Sequence, residues 1–256
     1  MQLSIIVVNY NGKDILCNCV ESIYKNSPTI NFEIILVDNA SSDGSVEMVK
    51  KEFPEVRVLV NQENKGFSFA NNRGIEMAKG DYMLLLNNDT LILPGQLDIM
   101  LNFMQEHQDV GAVGPKLLNP DGSFQLSFWP FPNLFTEFNR RIINLFAFAN
   151  YRFFKDLLEK FYIKEKEVDW VSGACLMVRR KTIEDVGILD ENFFMYFEDV
   201  DWCYRIRRKG WKIYFLPTAR IVHLLGKSME KEKQKNKQNY RQSRAYFYRK
   251  YKKFYI

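Results

Sequence analysis

Histidine is scarce in this 256-residue chain: only His107 and His223 occur, which excludes a histidine-rich metal centre. The four cysteines, Cys17, Cys19, Cys175 and Cys203, make no C-x-x-C pair and no zinc-ribbon spacing. Buried free thiols in a reducing cytosol are the expectation. No stretch reaches the roughly 18–20 uninterrupted apolar residues that span a bilayer. The chain runs straight into LSIIVVNYN, without a basic n-region or small-residue cleavage site, so a cytoplasmic protein without a signal peptide is expected. Also missing are G-x-x-x-x-G-K-[ST], a G-x-G-x-x-G after the first apolar run, and G-x-S-x-G. These absences count against a P-loop enzyme, a standard dinucleotide-dependent dehydrogenase and an α/β-hydrolase.

With 46% hydrophobic and 26% charged residues, the chain has the material for a sizeable core. Its net charge of +5 is unevenly placed. Residues 226–256 hold eleven Lys/Arg and two Glu, a balance of +9, which leaves −4 on residues 1–225. An acidic body with a basic tail is not the profile of a domain that reads nucleic acid.

Four apolar runs punctuate the first hundred residues, and each ends in Asn or Asp. LSIIVV (3–8) meets Asn9, EIILV (33–37) meets Asp38, VRVLV (56–60) meets Asn61, and YMLLL (82–86) meets Asn87. Helical patterns lie between and after them, over roughly 12–26, 44–53, 67–79 and 95–107. Strands alternating with helices imply a mostly parallel sheet covered on both faces. One Asn after a strand is a turn former. Four polar strand ends in register predict a ligand crevice at the carboxyl edge of the sheet. Further on, 116–165 reads as a proline-bearing loop followed by one or two helices or an excursion. VDWVSGACLMVRR (168–180) reads as one strand with a glycine inside it, and KIYFL (212–216) and ARIVH (219–223) as two more.

The remaining chemistry is carboxylate chemistry. Asp38, Asp43 and Asp89 fall at strand ends, and Glu198, Asp199 and Asp201 cluster later. A hard divalent cation binds through one or two carboxylates plus substrate phosphates. Asp89 bridged by Mg2+ or Mn2+ to a diphosphate would account for a carboxylate beside LLL. Acidic residues in a helix's first turn account for the second cluster equally simply.

SIIVVNYNG (4–12), ILVDNASSDGS (35–45), NKGFSFANNRG (64–74), LLLNNDT (84–90) and FFMYFEDVDWCYR (193–205) together resemble the inverting family-2 glycosyltransferases, in particular their rhamnosyltransferase-like subgroup. The resemblance implies a GT-A-type α/β fold over residues 1–225, with a nucleotide-sugar-binding half (1–115) and an acceptor and catalytic half (116–225). A basic, aromatic helical tail (226–256) follows. It also implies roles by position. Asn9, Tyr10, Asp38 and Asp43 would hold the nucleotide; Lys65, Gly66, Asn71 and Arg73 would lie over the donor. Asn87-Asn88-Asp89 stands at the D-x-D-like motif, with Asn88 at the donor, Asp89 on the metal and Asn87 in place of the first Asp. Asp199, with Glu198 as second choice, would be the base. His223 reads either as a structural residue or as a metal contact. Gly173 and Trp202, with Trp170, are candidates for the acceptor side, with a strand kink at Gly173 and core packing of the two tryptophans as the plain alternatives. Implied partners are a dTDP- or UDP-linked sugar donor and a glycan or lipid-linked acceptor, with the basic tail on the inner face of the cell membrane and no nucleic acid. A nucleotidyltransferase and a non-catalytic sugar-nucleotide-binding protein are the alternatives. The first usually carries a Gly-rich loop where this chain has NYNGKD, and the second has no need of Glu198-Asp199.

Overall fold

The computed structural model describes residues 2–132, 163–224 and 233–252. The apolar runs become parallel strands because both their faces are covered. β1 (Leu3–Asn9), β2 (Phe32–Asp38), β3 (Arg57–Val60) and β4 (Tyr82–Asn87) pair in parallel in the order β3-β2-β1-β4. Alternate side chains feed two cores. Leu3, Ile5 and Val7 join one together with α1 (Lys13–Lys25), α2 (Ser45–Glu52) and α4 (Gln96–Glu106). Ile6, Ile35 and Val37 join the other together with α3 (Phe67–Met77).

Beyond β4 the chain turns at Asn88-Asp89 into β5 (Thr90–Ile92), which leaves the parallel block for the far edge of the sheet. Between them lie β6 (Val110–Leu118), β11 (Cys175–Arg179) and β12 (Lys212–His223), in the order β4-β11-β6-β12-β5. β11 is antiparallel to β4, and β5 is antiparallel to β12. Short strands complete the set: β7 (Phe124–Gln125), β8 (Phe128–Trp129), β9 (Lys166–Glu167) and β10 (Trp170–Val171). α5 (Arg180–Val186) and α6 (Glu198–Arg208) follow β11, and α7 (Lys233–Lys250) closes the described chain.

Three expectations need correction. β6 passes through Pro115 and ends at Leu118, so the loop expected from 116 begins later. Lys116–Leu118 pair with Arg220–Val222. The proposed strand over 168–180 is two strands, because the chain turns at Ser172-Gly173 and β10 pairs with β8 instead of extending β11. The two strands over 212–223 are one, with a register shift between Leu216 and Arg220. Pro217, which has no N–H to give a ladder, sits in that irregularity. The helices expected within 133–162 lie outside the described residues.

All four cysteines are free thiols. Burial pushes Cys19 up to about 12 and Cys175 and Cys203 higher still, which makes them inert packing groups. Among the described residues no helix is long and apolar enough to cross a membrane.

Candidate active site

The register of the parallel strands places their polar ends together, Asn9 opposite Asp38 and Val8 opposite Asn87. Asp38 is fully buried. Its Oδ2 accepts from Asn9 Nδ2 at 2.9 Å and its Oδ1 from the Ser41 N–H at 2.7 Å. Ser41 Oγ in turn accepts from the Asn11 N–H, and Asn88 Nδ2 donates to Asn9 Oδ1 at 2.7 Å. Gly12 permits this approach, since a Cβ there would meet Asn88 Nδ2 at 2.7 Å. Asn9 and Asp38 are fully buried and do not themselves line the cavity of about 1,100 Å3, whose wall includes Tyr10, Asn11, Asp43 and the Asn88 bonded to Asn9. Burial works against the Asp43 charge, yet bonds from the Ser45 hydroxyl and the N–H groups of Lys13 and Ser45 hold its carboxyl below the usual range.

Asp89 sits where the chain leaves β4 for β5. Because β5 pairs with β12, His223 comes opposite Thr90 and its Nε2 lies 3.1 Å from Asp89 Oδ1. Gln125, two residues into β7's hairpin with β6, sets the imidazole. Its amide nitrogen donates to the Asn119 side chain at 2.8 Å and to the His223 carbonyl at 2.6 Å, so its Oε1 faces His223 Nδ1 at 3.0 Å. An acceptor there requires Nδ1 to carry a proton, which leaves Nε2 as the ring nitrogen that faces Asp89. Nearby, Asn87 Oδ1 is buried and takes no hydrogen bond among the described residues. Among those residues no group of three or more His, Cys, Asp or Glu gathers as a closed metal site. One carboxylate and one imidazole fit a cation that draws its remaining ligands from a diphosphate and water.

Glu198 and Asp199 enter the same cavity at the start of α6. Asp199 Oδ2 accepts the Gly173 N–H at 2.9 Å and its Oδ1 the Val200 N–H at 2.8 Å. Glu198 is buried, and its Oε2 takes no hydrogen bond among the described residues. Burial, and then the charge of Asp199, push the Glu198 carboxyl well above the ordinary range; burial also raises Asp199, against its backbone N–H bonds. Asp199 accepts more amide N–H groups than Glu198 does, so Asp199 is the member that ionises more readily and Glu198 the one that holds its proton to higher pH. Tyr196 and Phe197, just before the pair, have φ of 71° and 68°. Such non-glycine conformations cost on the order of 1–3 kcal/mol each and persist only when neighbours enforce them.

The structure brings Tyr10, Asp43, Gly66, Asn88, Asp89, Gly173, Glu198, Asp199 and His223 to one cavity. Lys65 is exposed beside Glu63, Arg73 is exposed, and Asn71 is buried within α3; none of the three borders the cavity. Trp202 is a correction. Its ring has no exposure, its Nε1 donates to the Gly187 carbonyl at 2.8 Å, and it packs in the core, so no sugar can stack on it. The tryptophans that do line the cavity are Trp129 and Trp170, paired across β8 and β10. At Gly173 a Cβ would lie 3.5 Å from Asp199 Cβ, an ordinary contact, so what that position supplies is its N–H.

Sequence reasoning missed three residues that act at a distance. Gln125 is one. Ser68 and Asn72, in the middle of NKGFSFANNRG, are the others: Ser68 Oγ donates to the Phe193 carbonyl, and Asn72 pairs with the Leu189 N–H and carbonyl. No local signal marks them, because the partners that matter lie 98 to 125 residues away.

Residues 4–187 match the family model described as glycosyl transferase family 2. The chain belongs to that family. An N-acetylglucosaminyl-diphospho-decaprenol L-rhamnosyltransferase of Mycobacterium tuberculosis (strain ATCC 25618 / H37Rv) is 33% identical over 201 residues, 74% of this chain and 66% of that relative. The match thus spans slightly under two thirds of that relative's own length. A low-salt glycan biosynthesis hexosyltransferase, Agl10 of Haloferax volcanii, is 28% identical over 86% of this chain and 66% of its own. The fold recurs in the mannosyltransferase PcManGT of Pyrobaculum calidifontis, solved with GDP-Man and Mn2+. It is similar over 89% of this chain and 58% of that one, at TM-score 0.62 and 19% identity. GalNAc-T7, solved with UDP, GalNAc and Mn2+, is similar over 88% of this chain and 44% of that one, at TM-score 0.65 and 18% identity. The family-2 chain has the α/β GT-A fold, its central sheet mostly parallel and flanked by helices.

Proposed function

We propose that this family-2 protein is an inverting glycosyltransferase that moves a sugar from a nucleoside diphosphate donor to a hydroxyl of a glycan or lipid-linked acceptor. One observation carries the reading: the Asp89–His223 pair and the Glu198–Asp199 pair open into one cavity from different elements. The nucleotide would lie along Tyr10, Asn11 and Asp43, with its diphosphate toward Asp89. Asp89 and His223 would hold Mg2+ or Mn2+, which when bound offsets charge on the departing diphosphate. Asp199 accepts the proton of the acceptor hydroxyl as that oxygen forms its bond to the anomeric carbon. The carbon–oxygen bond to the diphosphate breaks on the opposite face, and the anomeric centre inverts. Protonated Glu198 adds no second negative charge beside the base.

The mycobacterial relative's name supports rhamnose as the sugar and a diphospho-lipid glycan as the acceptor. A dTDP-linked donor fits that sugar, with UDP as the other candidate. A lipid-linked acceptor would bring the protein to the inner face of the membrane. There the exposed Lys235, Lys237 and Arg241 of α7 would each contribute about 1 kcal/mol against anionic lipid.

Thermal unfolding with dTDP, UDP, GDP or CMP, each with Mn2+, Mg2+ or EDTA, tests the donor site. A nucleotide at about a hundred times its Kd stabilises the fold by roughly 2.7 kcal/mol. The expected result is a metal-dependent shift with dTDP or UDP. No shift with any nucleotide sinks the reading.

A further inference from the structure

The family match ends at residue 187, before Glu198-Asp199 and before α7. The segment from Asp190 to Asp201 carries both carboxylates and lies between α3 and α7. On the α3 side, the Phe67 N–H and Ser68 hydroxyl hold the carbonyls of Phe194 and Phe193, each at 2.7 Å. Gly66 makes room for this, since a Cβ there would meet the Phe194 carbonyl at 2.4 Å. On the α7 side, Lys250 Nζ lies 2.7 Å from Asp190 Oδ2 and 2.6 Å from Asp201 Oδ1. Tyr251 donates to the same Asp201 oxygen at 2.8 Å, and Ser243 Oγ to the Met195 carbonyl at 2.8 Å. Phe197 packs against Tyr240 and Phe247, with ring centroids 5.5 and 5.4 Å apart.

We propose that α7 is a working part of the active site, with Lys250 as its positioning residue. By tying Asp190 and Asp201, the two ends of one segment, it holds the turn through Tyr196-Phe197 that aims Asp199. The physical case is that two consecutive left-handed non-glycine residues do not hold themselves. Asp201 is fully buried, so its charge needs partners; Arg205 supplies one from within α6, and Lys250 at the end of α7 and Tyr251 just after it supply two more. The same helix places Tyr240 and Asn239 on the cavity wall, so its seating also shapes the acceptor side.

The proposal rests on Asp199 as the base, and its test separates the two. The full chain is compared as wild type, Lys250→Met, Lys250→Arg and Tyr251→Phe, with the exposed Gln238→Ala as control. Amide hydrogen exchange is read over 193–201. Release of nucleoside diphosphate is read from UDP-glucose or dTDP-rhamnose with water as acceptor. In Lys250→Met, exchange over 193–201 is expected to rise at least tenfold while β1–β4 keep their protection. The kcat should fall at least tenfold with donor KM within twofold of wild type. Lys250→Arg should restore most of both, and Tyr251→Phe should shift both in the same direction by less. Unchanged exchange over 193–201, or a rise spread evenly through the chain, overturns the proposal. Tyr251→Phe decides the matter alone if Lys250→Met does not fold. If Asp199→Asn leaves turnover intact, the base assignment fails while local exchange still decides the clamp.

Discussion

The donor edge and the catalytic segment share one cavity and are built on opposite principles. At the donor edge the buried polar groups around Asp38 close on one another: Asn9 on Asp38 and Asn88, Asp38 on Ser41, Ser41 on Asn11. Asn9 and Asp38 end adjacent parallel strands in register, and Asn11, Ser41 and Asn88 lie in the turns just beyond the ends of β1, β2 and β4. The catalytic segment has a buried carboxylate oxygen without a partner among the described residues, two carboxyls with raised affinity for protons, and two left-handed residues. It is held from outside, by α3 and α7. A binding edge gains from satisfied, rigid groups, whereas a base must keep an unspent electron pair in a place where its neighbours disfavour charge.

Four substitutions break or sharpen this contrast. Asp199→Asn should have the largest effect, a loss of 100- to 10,000-fold in turnover, the usual scale for a removed general base. Nucleotide affinity should stay within a few-fold, measured by calorimetry on the same preparation. A sugar-nucleotide-binding protein that is no enzyme would show no turnover to lose.

Asp89→Ala should do the reverse. The metal-dependent part of the nucleotide melting shift, which totals about 2.7 kcal/mol at a hundred times Kd, should vanish. The pH titration of the Glu198–Asp199 pair should stay where it was. A metal-dependent shift that survives this change would take Asp89 out of the site.

Asp38→Ala tests the claim that the buried Asn9–Asp38 pair is structural. It strips the Ser41 N–H and the Asn9 amide of a buried acceptor, and a loss of about 1–3 kcal/mol in denaturant unfolding is expected. An equal loss of nucleotide affinity with unchanged stability would mean that Asp38 meets the nucleotide directly.

Glu198→Gln gives the smallest effect and the most specific one. The folded carboxyl titrates well above 4.5, so between those values the native state holds a proton that the unfolded chain has lost. Stability from this group is therefore fully present below 4.5 and lost as pH rises through the folded value. Glutamine mimics the protonated form, so the variant should gain on wild type at alkaline pH and lose that advantage in acid. Unfolding curves taken from pH 4 to 9 read the slope. A parallel offset at every pH would show that Glu198 is not held protonated.

Local pattern determined much of this molecule. The runs ending at Asn9, Asp38, Asn61 and Asn87 are legible because a buried parallel strand needs apolar residues throughout and a polar exit. The helices after them show in 3.6-residue spacing. The grouping of Tyr10, Asp43, Asn88 and Asp89 follows from those strand ends, and family-2 membership was legible in the ordered motifs. Tertiary structure decided the rest. Trp202 looked available to a sugar because sequence does not show which side of α6 faces the core. β6 was hidden by Pro115, and the split at Gly173 by an apolar pattern that continues through the turn. His223 meets Asp89 only because β5 crosses the sheet to pair with β12, and the Gly173 N–H reaches Asp199 only because α6 packs against β10. Lys250 finds Asp190 and Asp201 in the same way. Short-range patterns are set by the geometry of one strand or one helix, whereas these contacts depend on how distant elements pack.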